Sequence, residues 1–191
     1  MMILLWSLII VILTHEIGHL VAAKWLKCDV TRFSVGFGKV LLSKKIGKTI
    51  YQLALIPMGG FCELRGEMNY TRSKFAFVNK TYTQKVIISL AGIAVNCWMA
   101  VIAYWLFLLT YNQTFLIFGF YSAIIGLSNL LLIPCLDGFY PILFLFEKKW
   151  GKRKTYEFWE KVNASFFKWL MVINILSLPL LGYMIYKGYI L

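Results

Sequence analysis

The feature that most constrains this chain is a series of four long apolar stretches separated by polar segments. A nearly uncharged run of roughly 18 residues or more is long enough to cross the hydrocarbon core of a bilayer as a helix. Such runs cover residues 2–23, 86–109, 115–136 and 166–186, the last with Lys168 placed where its amine can reach the interface. With 60% hydrophobic residues and a mean hydropathy of +0.72, the chain is too apolar for a soluble domain of 191 residues. We therefore predict an α-helical membrane protein with about four transmembrane helices, forming one domain over residues 1–191.

The formal net charge of +12 is concentrated in two polar segments. One runs from Lys24 to Lys85 and the other is KKWGKRK, Lys148–Lys154, whereas the connection Thr110–Thr114 is uncharged. Because positively charged loops remain cytoplasmic, both basic segments are predicted inside and Thr110–Thr114 outside. Attraction to anionic lipid accounts for the charge, so the lipid bilayer is an expected partner and nucleic acid is not.

Two further features bear on processing and redox state. Residues 1–23 lack the basic leading region of a signal peptide, so we expect them to be retained. The cysteines are widely spaced and form no Cys-x-x-Cys pair, which predicts reduced apolar side chains rather than disulfides or a thiolate metal site, at Cys28, Cys62, Cys97 and Cys135.

The polar segment between the first two predicted spans contains two β-rich apolar stretches. FSVGFGKVLL, Phe33–Leu42, and TIYQLALIPMGGF, Thr49–Phe61, are separated by a turn that contains Gly47, which predicts a β-hairpin over about residues 33–61. Non-helical backbone at membrane depth is tolerated only where it is buried in protein or lines a wet cavity. We expect the hairpin to be membrane-associated and to dip toward the bilayer against the helices; the other placement is a small β-domain on the cytoplasmic membrane surface.

The stretch THEIGHL places two histidines and a glutamate inside the first apolar span. His15 and His19 are four residues apart, so a helix puts them on one face. HExxH is the spacing at which two imidazoles bind one zinc ion, with the glutamate, Glu16, as general base. Ionisable groups inside a span are costly and usually mark function, which favours this interpretation over polar side chains satisfied between helices.

A third ligand can be identified by elimination. A catalytic zinc needs three protein ligands and one open position, and the chain has only two histidines, so the third ligand must be a carboxylate. Only Asp137 is embedded in an apolar run, NLLLIPCLDGFYPILF. His19 lies five residues before Lys24, about 7–8 Å from the boundary at helical rise, and Asp137 approaches the same boundary. Pro134 and Gly138 are expected to interrupt the helix around it.

Together these motifs resemble the site-2 protease family of intramembrane zinc metalloproteases, and in particular its bacterial branch that cleaves anti-sigma factors. The resemblance extends over nearly the whole chain, and besides HEIGH and LDG it includes RFSVGFGK (Arg32–Lys39), ALIPMGGF (Ala54–Phe61), FVNKTYTQK, AGIAVN (Ala91–Asn96) and NLLLIPCLDG (Asn129–Gly138). It implies that His15, His19 and Asp137 hold Zn²⁺ and that Glu16 activates water. It also implies a multi-pass protein of the bacterial plasma membrane, with its active site near the cytoplasmic side.

The chain departs from the family pattern at three points. The branch usually carries PDZ modules between its second and third spans, where this chain has only Thr110–Thr114. Ile93 replaces the usual proline of the AGP-type motif, and Phe139 replaces the second glycine after the aspartate. The last two changes bear on local helix packing rather than on the metal ligands.

The resemblance implies hydrolysis of a peptide bond in or near a transmembrane segment of a membrane protein or small peptide precursor. An edge strand of the hairpin would hold the unwound substrate by β-addition, with Gly59 and Gly60 permitting close approach. Asn129 occupies the position of an asparagine that the family associates with the active site or substrate handling. It either donates to a developing oxyanion or forms an interhelical hydrogen bond, whereas Asn96 is expected to serve helix packing.

Two other function classes fit parts of the pattern. A non-proteolytic metal-binding membrane protein, such as an immunity or chaperone-like factor, needs the ligands but not Glu16. A metal transporter would have polar residues spread through its spans, whereas here they cluster at one depth. No prediction follows for the identity of the substrate or for the oligomeric state.

Overall fold

The computed structural model describes residues 2–67, 70–134, 136–166 and 168, and within them the chain is mostly helical with one small β-sheet. Its elements are, in chain order, α1 (Met2–Trp25), β1 (Val30–Ile46), β2 (Thr49–Leu64), α2 (Tyr82–Thr110), α3 (Gln113–Asn129) and α4 (Tyr140–Trp150). Short helical turns occur at Phe77–Asn79 and Asp137–Phe139, and residues 152–166 are helical. The predicted combination of apolar helices with a hairpin after the first of them is confirmed.

Within the described residues, two helices are long and apolar enough to cross a membrane: the stretch Trp6–Trp25 of α1, and α2. Large apolar side chains on α2 are exposed, with Trp98, Trp105 and Leu109 at 69%, 61% and 74% of their full accessibility. A continuous apolar surface of this kind is rare on a soluble protein. It is the surface that a helix presents to lipid.

The third predicted span is shorter in the structure than in the prediction. Helix α3 ends at Asn129 and has 17 residues, about 25 Å at helical rise, whereas the predicted span reached residue 136. The helix ends in a tighter, 3₁₀-type turn, in which the N–H groups of Leu130 and Leu131 donate to carbonyls three residues back. Pro134, which lacks an N–H group, lies in the irregular segment that follows, so the expected interruption before Asp137 is present. The fourth predicted span, 166–186, lies almost wholly outside the described residues.

Strands β1 and β2 form an antiparallel hairpin that is folded back on itself. Its tip pairs Ile46 with Thr49 across a turn in which Gly47 has a φ of +61°, a conformation that favours glycine. Further along, each of residues 32–35 has one partner in 50–53 and a second in 60–63. The segment Gly60–Leu64 therefore forms one edge of the sheet, since within the described residues its pairing lies on one side only.

A cluster of buried apolar side chains forms a hydrophobic core at one end of the helices. It joins the end of α1, the start of β1, the end of β2, α4 and the helical segment 152–166, through buried side chains that include Ala23, Val30, Leu64, Leu143 and Trp159. At its border the amine of Lys85, 1% exposed, donates to the Glu147 carboxylate and lies over the rings of Phe144 and Tyr156. This ion pair connects the start of α2 to α4, and α4 directly follows the turn that carries Asp137.

Candidate metal centre and active site

Helix α1 presents His15 and His19 on one face, as their spacing predicts. Both side chains are buried, at 5% and 8% exposure, and their Nε2 atoms lie 3.3 Å apart. The two rings meet edge to face with their centroids separated by 4.9 Å. Two nitrogen donors are therefore directed to one point in the protein interior.

The turn Asp137–Phe139 brings a carboxylate to the same point. Asp137 Oδ2 lies 2.9 Å from Nε2 of His15 and 3.1 Å from Nε2 of His19. The turn packs against the end of α3 so closely that a Cβ on Gly138 would lie 2.3 Å from the carbonyl oxygen of Leu130. The glycine of the LDG motif is thus required for Asp137 to reach the histidines.

These three residues form a group that fits a zinc ion. Their ligand atoms are two imidazole nitrogens and one carboxylate oxygen, a donor set that zinc prefers, and all lie within 4.8 Å of one another. A tetrahedral zinc with ligands at about 2.0–2.1 Å keeps neighbouring ligand atoms about 3.3 Å apart. The three distances between Nε2 of His15, Nε2 of His19 and Oδ2 of Asp137 are 2.9, 3.1 and 3.3 Å. One position on such an ion would remain for water or substrate.

Helix α2 leaves space at this group because residue 92 is a glycine. A Cβ on Gly92 would lie 2.4 Å from Nε2 of His19 and 2.7 Å from Nε2 of His15, distances that real Cβ atoms do not show. The sequence reasoning did not identify Gly92 as a site residue. The available signal was the run of small residues in AGIAVN, which permits a close approach of two helices.

The same helix contacts the outer nitrogen of each imidazole. Nδ1 of His19 lies 2.8 Å from the carbonyl oxygen of Ile88, and Nδ1 of His15 lies 3.2 Å from the amide nitrogen of Asn96. Asn96, expected from the sequence to serve helix packing, therefore lies directly behind a predicted ligand. In both imidazole rings, Nε2 points toward Asp137 and the other histidine, and Nδ1 contacts α2.

Glu16 lies between the metal-binding group and the edge of the sheet. Its carboxylate accepts a hydrogen bond from the backbone N–H of Cys62 and is close to the charges of both histidines and Asp137. A Cβ on Gly60 would lie 3.2 Å from Cγ of Glu16 and 2.7 Å from the carbonyl oxygen of Ser34. Glycine at this position thus allows the edge segment to lie against the predicted general base.

The other two candidate substrate-binding residues occupy different surroundings. Gly59 has a φ of +147°, and a Cβ there would collide with the ring of Phe37 at 2.0 Å, so this glycine is needed for the course of the strand. The amide of Asn129 donates to the carbonyl of Ile125 in its own helix at 3.0 Å. Of the predicted substrate-handling residues, Gly60 is the one in contact with Glu16.

A small polar cavity adjoins the metal-binding group. Its volume is about 60 Å³, room for a few water molecules, and its walls include His19, Asp137, Glu67 and Tyr140. The hydroxyl of Tyr140 donates to the Glu67 carboxylate at 2.9 Å, and the backbone N–H of Leu64 donates to its other oxygen at 3.2 Å. Burial raises the pKa of Glu67 to about 7. Glu67 lies in the basic segment from Lys24 to Lys85, and nothing in its local sequence marks it as buried.

The chain combines apolar helices of membrane length, an HExxH pair on one of them, and a carboxylate that a separate turn brings to the same point. This combination defines the class of membrane-embedded zinc metallopeptidases. The chain belongs to Peptidase family M50, the family of the site-2 proteases, whose family model matches residues 3–116.

Relatives with assigned names agree with this membership. A protein of Treponema pallidum named "Putative zinc metalloprotease" is 52% identical over 61 residues, which cover 32% of this chain and 14% of the relative. The Protease RseP of Yersinia pestis is 38% identical over 118 residues, covering 56% of this chain and 26% of the relative. The Regulator of sigma-E protease RseP of Salmonella typhimurium is 37% identical over 119 residues, with the same coverage of 56% and 26%. The matched regions thus span about a seventh to a quarter of these relatives' length.

Proposed function

We propose that this chain is an intramembrane zinc metalloprotease that hydrolyses a peptide bond in or near a transmembrane segment of a membrane protein or small peptide precursor. The observation that carries the proposal is the convergence of His15, His19 and Asp137 beside Glu16 and an edge of the sheet that has a strand partner on one side only. The proposed ligands, the proposed base and the sheet edge thus lie together.

The chemistry follows from the positions of the side chains. Zinc, when bound, polarises the scissile carbonyl and lowers the pKa of a water ligand to about 7. Glu16 accepts the proton of the attacking water and delivers it to the amine nitrogen as the C–N bond breaks. The hydrogen bond from Cys62 orients the Glu16 carboxylate for both transfers. Burial of both histidines excludes bulk water from the reacting atoms.

The edge segment Gly60–Leu64 is the proposed binding site for the substrate backbone. A helical substrate hides its carbonyls in internal hydrogen bonds, so it must be unwound locally before attack. An unwound segment lies along this edge as a further strand beside Glu16, because Gly60 contacts that side chain. It pairs with those backbone groups of the edge that are not already bonded to Glu16 or Glu67. Within the same proposal, Asn129 donates to the developing oxyanion once its amide leaves the carbonyl of Ile125.

We place the protein in a bacterial plasma membrane as a multi-pass domain with its active site near the cytoplasmic side. The distribution of charge supports this placement. The amine of Lys80 donates to the carbonyls of Leu26 and Lys27, and the amine of Lys152 lies 3.4 Å from the side-chain oxygen of Asn79. Both basic segments therefore lie at the same end of α1 and α2, the end nearer to His19.

The competing function is that of a non-proteolytic metal-binding membrane protein. Such a protein needs His15, His19 and Asp137 but has no use for a carboxylate held next to the metal-binding group and a sheet edge. The position of Glu16 therefore favours hydrolysis.

The substitution Glu16→Gln separates the two functions. Glutamine is nearly isosteric and cannot accept the proton, so cleavage should fall by roughly 10²–10⁴-fold while zinc content and folding are retained. Candidate single-span substrates would be co-expressed and their processing followed with and without a zinc chelator. Metal content would be measured on the purified variant.

Two further variants complete the experiment. Glu160→Gln changes an exposed carboxylate on the segment 152–166 and should leave cleavage and zinc at wild-type levels. Asp137→Ala should lose both zinc and cleavage, because two histidines alone do not complete the three-ligand site. Processing by Glu16→Gln at the wild-type rate would exclude the proposed mechanism, and retention of full zinc by Asp137→Ala would exclude the proposed third ligand.

A further inference from the structure

The polar side chain that lies immediately behind the metal-binding group belongs to Asn96 on α2. It is 0% exposed, and its amide nitrogen lies 3.2 Å from Nδ1 of His15. The other ring nitrogen of His15, Nε2, lies 2.9 Å from Asp137 Oδ2. Asn96 thus contacts the ring nitrogen of His15 that points away from His19 and Asp137.

The second histidine shows what such a contact does. Nδ1 of His19 lies 2.8 Å from the carbonyl oxygen of Ile88, which can only accept a hydrogen bond. His19 must therefore carry its proton on Nδ1, which leaves Nε2 free to bind a metal. Histidine ligands in metal sites characteristically have such an acceptor behind them, because it holds the tautomer and the ring orientation.

Asn96 can present either a donor or an acceptor to His15. With the amide nitrogen toward Nδ1, the proton of His15 sits on Nε2, where it donates to Asp137. The amide oxygen of Asn96 is then buried without a hydrogen-bond partner among the described residues. Binding through Nε2 moves the proton to Nδ1, and rotation of the amide turns that unpartnered oxygen into its acceptor.

We propose that Asn96 is a positioning residue of the metal site, whose amide oxygen accepts the Nδ1–H of His15 and holds this imidazole in the tautomer that binds zinc through Nε2. The inference rests on the metal site of the proposed function. Ile88 and Asn96 then perform the same task for His19 and His15, one with a backbone carbonyl and the other with a side chain.

A packing role for Asn96 makes the opposite prediction about substitutions. The side chain also lies at the contact with α3, since a Cβ on Gly126 would be 3.2 Å from Cβ of Asn96. If Asn96 served packing alone, the apolar Asn96→Leu, of similar size, would be better tolerated than Asn96→Asp, which brings a charge into the helix interface. If it positions His15, Asn96→Asp keeps an oxygen acceptor and should bind zinc better than Asn96→Leu.

The experiment measures zinc affinity on purified full-length protein in detergent, by competition with a chromogenic chelator, and requires no proteolysis. Asn96→Leu should bind zinc roughly 10–100-fold more weakly than the wild type, and Asn96→Asp should retain most of the affinity. Visible absorption of the cobalt-substituted proteins gives a second readout, since loss of the His15 orientation changes the ligand geometry. Ser122→Ala alters another fully buried polar side chain, one whose hydroxyl has no hydrogen-bond partner among the described residues, and should leave affinity and spectrum unchanged.

The outcomes separate failure of this inference from failure of the proposed function. If the wild type binds no zinc, the metal site itself is wrong. If the wild type binds zinc and Asn96→Leu binds it equally well, or better than a folded Asn96→Asp, the positioning role is overturned and the metal site stands. Far-UV circular dichroism and the thermal transition establish folding for every variant.

Discussion

At the scale of single residues, Gly92 restricts the space at the two ligand nitrogens. Its hydrogen faces the two Nε2 atoms, and a methyl group there would come within 2.4 Å of one and 2.7 Å of the other. We predict that Gly92→Ala lowers the zinc affinity, because the methyl group enters the space at the ligand nitrogens. The loss should be at least the roughly 10–100-fold that follows removal of a hydrogen-bond partner behind a metal ligand. Chelator competition on the purified variant measures this loss.

Gly119 provides the matched control for Gly92. A Cβ on Gly119 would meet the Cβ of Ala103 at 3.2 Å and a backbone oxygen at 3.3 Å, far from the histidines. Gly119→Ala should therefore disturb the contact between α2 and α3 slightly and leave zinc affinity unchanged. Wild-type zinc affinity in a folded Gly92→Ala variant would show that the ligands bind metal in an arrangement other than the one described.

The site residues that sequence reasoning identified are those with a local signal. The spacing of His15, Glu16 and His19 indicates a zinc motif, and Asp137 stands out as a carboxylate in an apolar run. The structure brings their side chains together. Gly92 and Asn96 were not identified as site residues because their importance arises from contacts between α1 and α2, and no spacing within α2 reports what lies opposite.

At the scale of elements, the helices and hairpin were predictable from apolar run length and β-rich composition, but the path of the hairpin was not. Glycines with positive φ at Gly36 and Gly38 permit β1 to bend, and the pairing of residues 32–35 on both sides follows from that bend. Composition predicts that strands form, whereas partner and register depend on tertiary contacts. The edge position of Gly60–Leu64, on which the proposed substrate site depends, could only come from the structure.

The connection after β2 is joined to α4 by a hydrogen bond that is sensitive to pH. Burial raises the pKa of Glu67 from 4.5 to about 7, so the folded protein binds a proton more tightly there than the unfolded chain does. The stabilising effect is fully present below about pH 4.5 and is lost as pH rises through about 7. We predict that Glu67→Gln removes this part of the pH dependence of the thermal transition between pH 5 and 8, a change followed by circular dichroism in detergent.

The comparison for Glu67 requires a carboxylate on the protein surface. Glu157 is half exposed and pairs with Arg153 at 2.9 Å on the surface, so Glu157→Gln should keep the wild-type pH dependence. If Glu67→Gln shows the same loss of stability with rising pH as the wild type, Glu67 is ionised throughout that range and its carboxylate is not buried as described.

At the scale of the whole molecule, charge and apolar surface are arranged along the helix axes. Residues 111 and 112 alone separate α2 from α3 at one end, whereas the hairpin and both basic segments lie at the other. A PDZ module has no place between α2 and α3 in this chain. A substrate would therefore approach the sheet edge without passing such a module at that position.

The last prediction concerns orientation in the membrane. Because basic segments remain cytoplasmic, a membrane-impermeant thiol reagent applied from outside should label Asn112→Cys and should not label Lys45→Cys or Lys152→Cys. The background must lack native thiols, above all Cys97, which is exposed on α2. All three positions are exposed, so a difference in labelling reports the side of the membrane rather than burial. Each variant should label fully after permeabilisation, which establishes that its thiol is reactive. External labelling of Lys152→Cys with protection of Asn112→Cys would reverse the orientation and put the metal-binding group near the outer side, because Lys152 lies beside Asn79 at the end where His19 approaches the boundary.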